Sequence, residues 1–334
     1  MIASCVATAD AGFAHIRPTR PSELSVGAER SGINPHPPLP NVMPRVTVSR
    51  RAGRSDDSER RASSVTHGKF PLLVGIVFSV LAIFANTSRA ETFDHQHKTY
   101  AQVLEDHVQW SDDGTASTVD YQALKAAPEN LDQYLEQLSS VETSQFNDWS
   151  RDQQLAFLIN AYNAFTLKLI VDHYPVDSIR DIGSFWQNPW KMRFFTLLGE
   201  EMHLDQVEHE IIREPGVYNE PRIHFAVNCA SVGCPALRTE PFTAERLEQQ
   251  LEDSAERFLQ DETRNRYRDG RLEVSSIFKW YREDFERGWQ NIDSLDAFFL
   301  RYADSLGLSE TEREQLRQGA VGYRFLDYDW TLNE

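Results

Sequence analysis

Several familiar signatures of catalysis are missing from this chain of 334 residues. It has no glycine-rich phosphate loop, no dinucleotide fingerprint, no Gly-x-Ser-x-Gly elbow and no His-Glu-x-x-His pair. Nothing therefore points to the nucleotide, serine-hydrolase or zincin chemistries that those patterns build. Positive charge is also short, with 34 Lys+Arg against 51 Asp+Glu and a net of −17. The deficit is uneven: residues 1–90 carry 11 Lys+Arg and 6 Asp+Glu, and residues 91–334 carry 23 and 45, a net of −22. A domain this acidic repels phosphate backbones, which argues against a nucleic-acid partner. No pair of carboxylates stands out for glycoside cleavage, no long internal repeat is evident, and no pattern calls for a cofactor.

Long hydrophobic runs are equally scarce. The main uncharged one is Phe70-Pro71-Leu72-Leu73-Val74-Gly75-Ile76-Val77-Phe78-Ser79-Val80-Leu81-Ala82-Ile83-Phe84-Ala85, between Lys69 and Arg89, with small residues at Ser88 and Ala90. A basic flank, a short apolar core and a small-x-small site read as a secretory signal peptide over 70–90, cut after Ala90. An uncleaved membrane anchor is the alternative, although the core is short for a span. Residues 1–69 are rich in Pro, Ser, Arg and Gly, the composition of a disordered segment, or of a mis-assigned leader whose true start lies at Met43 or at the Val65 codon. The expectation is a periplasmic or secreted protein, with one globular domain over 91–334 and membrane contact only through an uncleaved leader.

Cysteine is rare too. Cys5 falls in the leader, which leaves Cys229 and Cys234 in a compartment where disulfides form and persist. Both lie in Arg222-Ile223-His224-Phe225-Ala226-Val227-Asn228-Cys229-Ala230-Ser231-Val232-Gly233-Cys234-Pro235, the stretch where chemistry is expected.

What is present is mostly helical periodicity. Ser150 and Gln153 form a capping box that opens a helix to about His173, stopped before Pro175. It is apolar on most sides, so it reads as a buried central helix over 151–173. Asn160 and Asn163 share one of its faces and need partners, either backbone of a neighbouring loop or a substrate or catalytic group. Other helices are expected over 97–110, from Glu129, over 206–213 with Asp205 as cap, over 243–262, 276–285 and 294–306, and after the Ser309/Glu312 box. Strands are expected over 192–198 and 201–204, and over 223–228, where alternation sets His224, Ala226 and Asn228 on one face. A hairpin is expected at Asp269-Gly270, and a strand with an aromatic tail closes the chain. The fold class is α+β, helix-rich, with one small, mainly antiparallel sheet.

Several of these stretches resemble the bacterial, exported branch of the domain of unknown function 547. They are Asn160-Ala161-Tyr162-Asn163-Ala164, Leu204-Asp205-Gln206-Val207-Glu208-His209, Arg213, the run from His224 to Pro235, Ile277-Phe278-Lys279-Trp280-Tyr281 with Asp284-Phe285, and Tyr328-Asp329-Trp330-Thr331-Leu332-Asn333. The resemblance implies a single exported domain and carries no established reaction.

Three readings of the site stay open. The first is a cysteine hydrolase or acyl transferase acting on peptide or cell-wall amide bonds. His224 would be its base, Cys234 (preferred) or Cys229 its nucleophile, and Glu208 or a central-helix Asn the orienting group. On a strand Cys229 would point away from His224, whereas Cys234 follows the Gly233 turn. The second is a non-catalytic binding or scaffold domain with a structural Cys229–Cys234 disulfide. Asn160, Asn163, Asn228, Arg213 and Trp186 would contribute to binding, and the aromatics near Trp190 and Trp330 would form a groove for peptide or glycan. The third is a zinc site drawing on His203, His209, His224, Glu208 and the thiolates, although the spacing matches no common pattern. Lys279, Arg282, Glu283 and Asp284 read as a solvated face with ion pairs rather than as a site, and Asp329 as ambiguous, with a buried partnership to Arg213 or His224 as one reading.

Overall fold

The structure is a computed structural model, which describes residues 92–183 and 188–334. The expected leader, signal peptide and Trp186 lie outside the described residues. Among these, eleven α-helices accompany short strands in three small sheets. The class is α+β, with the strands in three sheets where one was expected.

The helix Arg151–His173 lies at the centre. The Ser150 hydroxyl accepts from Gln153 N–H and the Gln153 side chain accepts from Ser150 N–H, so the expected box starts the helix. At its other end Tyr174, the residue before Pro175, is extended, which terminates the helix. By length and composition it would suit a membrane span, yet 89% of its apolar window is buried inside the protein. Its faces are covered by protein, as a helix apolar on most sides requires. The helices Lys98–His107, Tyr121–Ala126 and Glu129–Ser139 surround it in one core.

A second, aromatic core joins Phe258, Phe278, Phe285, Phe298 and Phe299. It is built by the helices Leu247–Gln260, Ile277–Trp280, Arg282–Phe285 and Leu295–Arg301. The hairpin Arg266–Arg268/Arg271–Ser275 turns at Asp269-Gly270, both at positive φ, and the strand Gly322–Leu326 adds to it in parallel. Phe195–Leu197 pairs antiparallel with Glu200–Met202 around Leu198-Gly199, and Val108–Trp110 with Ser117–Val119.

Two local expectations are corrected. The stretch 223–228 is no strand. Pro221–Phe225 is a 3-10 helix with Pro at its first turn, where a missing N–H costs nothing. This turn sits in the seam between the cores, with Ile223 and Ala226 in one and Phe225 in the other. Apolar residues demanded by two different cores had imitated strand alternation. The second correction is the cap of residues 206–213. His203 caps, its Nδ1 accepting from Gln206 N–H, and a short α-turn passes into a π-helix over Val207–Ile212. Pi-type segments carry no periodicity signal of their own.

Candidate functional site

The seam segment continues into the loop 226–235, which is held from two sides. From the central helix, Asn163 donates to Ala226 O (2.9 Å) and accepts from Asn228 N–H (2.8 Å). Asn228 in turn accepts from Ala230 N–H and donates to Pro235 O, each at 2.8 Å, closing the loop on itself. From the C-terminal tail, Val232 N–H donates to Thr331 O and Gly233 N–H to Asp329 O. A Cβ at Gly233 would meet Asp329 O at 2.8 Å, so only glycine allows this approach. Asn160 works further along, accepting from Phe242 N–H and donating to Phe242 O. Both central-helix amides therefore meet loop backbone.

Cys229 and Cys234 are paired at disulfide distance, with Cα atoms 6.2 Å apart, and both are buried at 8% and 4% exposure. With Tyr162, Glu208, His224, Tyr328, Trp280 and Trp330 they line a cavity of about 30 Å³. That volume suits one or two water molecules. On the other side of Gly233 and Tyr328 opens a cleft of about 480 Å³, walled also by Asp113, Asp261, Arg264 and Asp327, in the size range of ligand pockets.

His224 is wholly enclosed, its ring stacked on Tyr281 at 3.9 Å. Burial lowers its pKa, outweighing the opposing hydrogen bond and charge of Asp284, so the ring is neutral. Burial would raise the pKa of Asp284, but hydrogen bonds from His224 and Arg213 prevail and hold the carboxyl well below the usual carboxylate range. A neutral imidazole beside an ionised carboxylate donates from Nε2, here to Asp284 Oδ2 at 2.7 Å. Nδ1 is then a bare lone pair, buried and without a hydrogen-bond partner among the described residues. His224 lines the cavity and Asp284 does not, and Nδ1 is the ring nitrogen that Asp284 leaves unengaged. Asp284 also accepts from Arg213 Nε at 2.5 Å and pairs with Arg287 at 2.7 Å.

Glu208, on the π-helix, is buried in the cavity wall. Tyr162 and Tyr281 are pushed well above the tyrosine range, first by burial and then by its carboxylate, so both remain protonated. Arg213 Nη1 donates to His209 Nδ1 at 2.6 Å, which puts the His209 proton on Nε2, 3.3 Å from Asp205 Oδ1.

The structure thus brings His224, Cys229, Cys234 and Glu208 to one cavity. It sets Asn163 and Asn228 on the backbone of the loop that carries the sulfurs, puts Asn160 on Phe242, and leaves Arg213 and His209 to a charged network with Asp284 and Asp205. Among the described residues no three His, Cys, Asp or Glu side chains are grouped so as to hold a metal ion, and His203 is spent on its cap. Asp284 corrects an expectation. Expected on a solvated face, it is 7% exposed and orients His224. The one local signal was that Asp284 lies three residues after the inward Tyr281, which suits an exposed ion pair equally well. Asp329, expected as a buried partner, is exposed and accepts from Thr331 N–H. Trp330 stacks near Trp280 at 6.0 Å and meets Trp190 edge-on at 5.6 Å. Tyr328 and Ser231, which touch both sulfurs, had not been singled out as site residues.

No curated protein and no solved structure matches the chain. Residues 146–259 match the model of the family described as "Protein of unknown function, DUF547", a match that covers Glu208, Arg213, His224 and both cysteines but stops short of Asp284 and Tyr328.

Proposed function

We propose that the cavity is a thiol–imidazole centre that cleaves or transfers acyl groups at amide or ester bonds once its disulfide is opened. The observation that carries this is the Nδ1 of His224, buried, unpartnered and neutral, on a cavity that also holds both sulfurs. A nucleophile needs a base, and the base needs an orienting group. Asp284 supplies the third part by fixing the proton on Nε2. The 30 Å³ cavity has room for the reacting atoms alone, so the bulk of a substrate belongs in the 480 Å³ cleft beyond Tyr328. Export, proposed from the apolar run at 70–85, would deliver the chain to an oxidising compartment where the site rests closed. Amino-terminal sequencing of the secreted chain, with a start at Glu91, tests that part.

The test of function is hydrolysis of p-nitrophenyl acetate and of a peptide-amide panel by the full chain, with and without dithiothreitol. Turnover is expected only after reduction. It is expected to fall about 10²–10⁴-fold in His224→Ala, the range of a lost general base. Equal rates in the wild type and the variant would defeat the proposal. A second reading, a scaffold domain with a structural disulfide, is favoured by the pairing of the sulfurs under Tyr328. It predicts no turnover in either redox state.

A further inference from the structure

The two sulfurs are not equivalent. Cys234 Sγ accepts the backbone N–H of Cys229 at 3.0 Å, lies 3.1 Å from the Tyr328 hydroxyl and 3.2 Å from Ser231 Oγ. Among the described residues Cys229 Sγ has no backbone donor, and it lies farther from the same two hydroxyls, at 3.3 Å from Tyr328 and 3.5 Å from Ser231. The Ser231 hydroxyl also donates to the Tyr328 hydroxyl at 3.4 Å, which leaves the Tyr328 proton for the sulfur nearer to it, Cys234. Tyr328 is half-buried, and its partial burial raises its pKa and keeps it a donor. Donors aimed at a sulfur favour its thiolate over its thiol.

We infer that Cys234 is the attacking sulfur, that Tyr328 and the Cys229 N–H hold its thiolate, and that the Cys229 sulfur is its oxidative cap. This assignment rests on the thiol–imidazole reading and deepens it. A dithiol reductant opens the site: it exchanges through a mixed disulfide, leaves as its own disulfide, and delivers two electrons and two protons that make Cys229 and Cys234 thiols. The Cys234 proton passes to Nδ1 of His224. The thiolate attacks the acyl carbon, an S–C bond forms, the C–N bond breaks, and the imidazolium returns the proton to the departing amine. Water, or an acceptor amine or alcohol, then gives its proton to His224 and attacks the thioester. The acyl product leaves, and the proton goes back to Cys234. Reoxidation by a disulfide-donating oxidant re-forms the Cys229–Cys234 bond and silences the site.

The test is the pH dependence of iodoacetamide alkylation, read by intact mass on the reduced full chain. Cys229→Ser leaves Cys234 free, and Cys234→Ser leaves Cys229 free. The Cys234 midpoint is expected below the free-thiol value of about 8.5. Adding Tyr328→Phe is expected to raise it by about one unit, a tenfold loss of thiolate at low pH, and His224→Ala is expected to raise it as well. Cys229 is expected near the free value and indifferent to both changes. Where a serine variant does not fold, peptide mapping of which sulfur alkylates first in the reduced wild type decides the same point. A lower midpoint, or Tyr328 sensitivity, at Cys229 overturns the assignment. Indifference of both sulfurs to His224→Ala overturns the reading beneath it.

Discussion

His224 carries a buried ring nitrogen without a hydrogen-bond partner, and such a group costs about 1–3 kcal/mol. The rest of the ring is secured at length, by Asp284 on Nε2 and Tyr281 on its face. Stability is conceded at one atom while the neighbouring one is over-determined, which is how a base is kept ready. Asp284 is the residue to perturb. Its folded pKa lies below its unfolded value, so its contribution is complete above about pH 4 and is lost as pH falls through the folded value. The melting-temperature gap between wild type and Asp284→Ala is therefore predicted to be wide at pH 7 and to close progressively below pH 4. At pH 7 the variant should lose about 3–5 kcal/mol in urea unfolding, because Arg213 is left without its carboxylate. A loss under 1 kcal/mol would mean that the pair is not coupled as described. Asp284 also shows what sequence hides. Its type and neighbours suit a solvated face as well as a buried pair, and only the fold shows that Arg213 and His224 reach it.

At the scale of elements, the central helix does two jobs with about six turns of sequence. Its apolar faces fill the core, and Asn160 and Asn163 clamp two loops. The helix, its cap and the Asp269-Gly270 hairpin were legible because each rests on local chemistry: a periodicity, a capping box, a turn dipeptide. The 3-10 turn at Pro221–Phe225 was not, because its burial is set by two cores built from distant sequence. Asn163→Ala and Asn160→Ala are each predicted to cost about 1–3 kcal/mol in urea unfolding. Only Asn163→Ala should speed alkylation of the reduced cysteines, since only Asn163 grips the loop beside them. Equal acceleration by both would remove that distinction. The helix Lys98–His107 starts from His97, whose Nδ1 shares a hydrogen bond with the Tyr134 hydroxyl at 2.7 Å. Burial lowers the His97 pKa to about 3. The unfolded chain takes up its proton near pH 6.5, so stability is full above that value and is lost as pH falls toward 3. His97→Asn, which tolerates the same left-handed backbone, is predicted to flatten urea-unfolding stability between pH 6.5 and 4. An unchanged slope would assign the acid sensitivity elsewhere.

The whole molecule is two cores joined by one seam, and the site lies in that seam. The α+β class was legible from element types, and the three-sheet arrangement was not, because pairing partners such as 271–275 and 322–326 are set by packing rather than by a turn. The disulfide closes a short loop already fixed by Asn163, Asn228 and the C-terminal tail. Reduction is accordingly predicted to lower stability by only about 2 kcal/mol on chain-entropy grounds, seen as a shifted urea midpoint with the fold retained. Complete unfolding on reduction would make the bond a structural necessity and deny it a switching role. The central claim is that His224 activates a sulfur across the cavity. Its most direct test is to react the reduced full chain with p-nitrophenyl acetate, quench in acid and map the acetyl group by peptide mass. A single acetyl group on Cys234, absent from the oxidised chain and from His224→Ala, is the predicted result; free thiols at both positions with no acetyl group on either would contradict it.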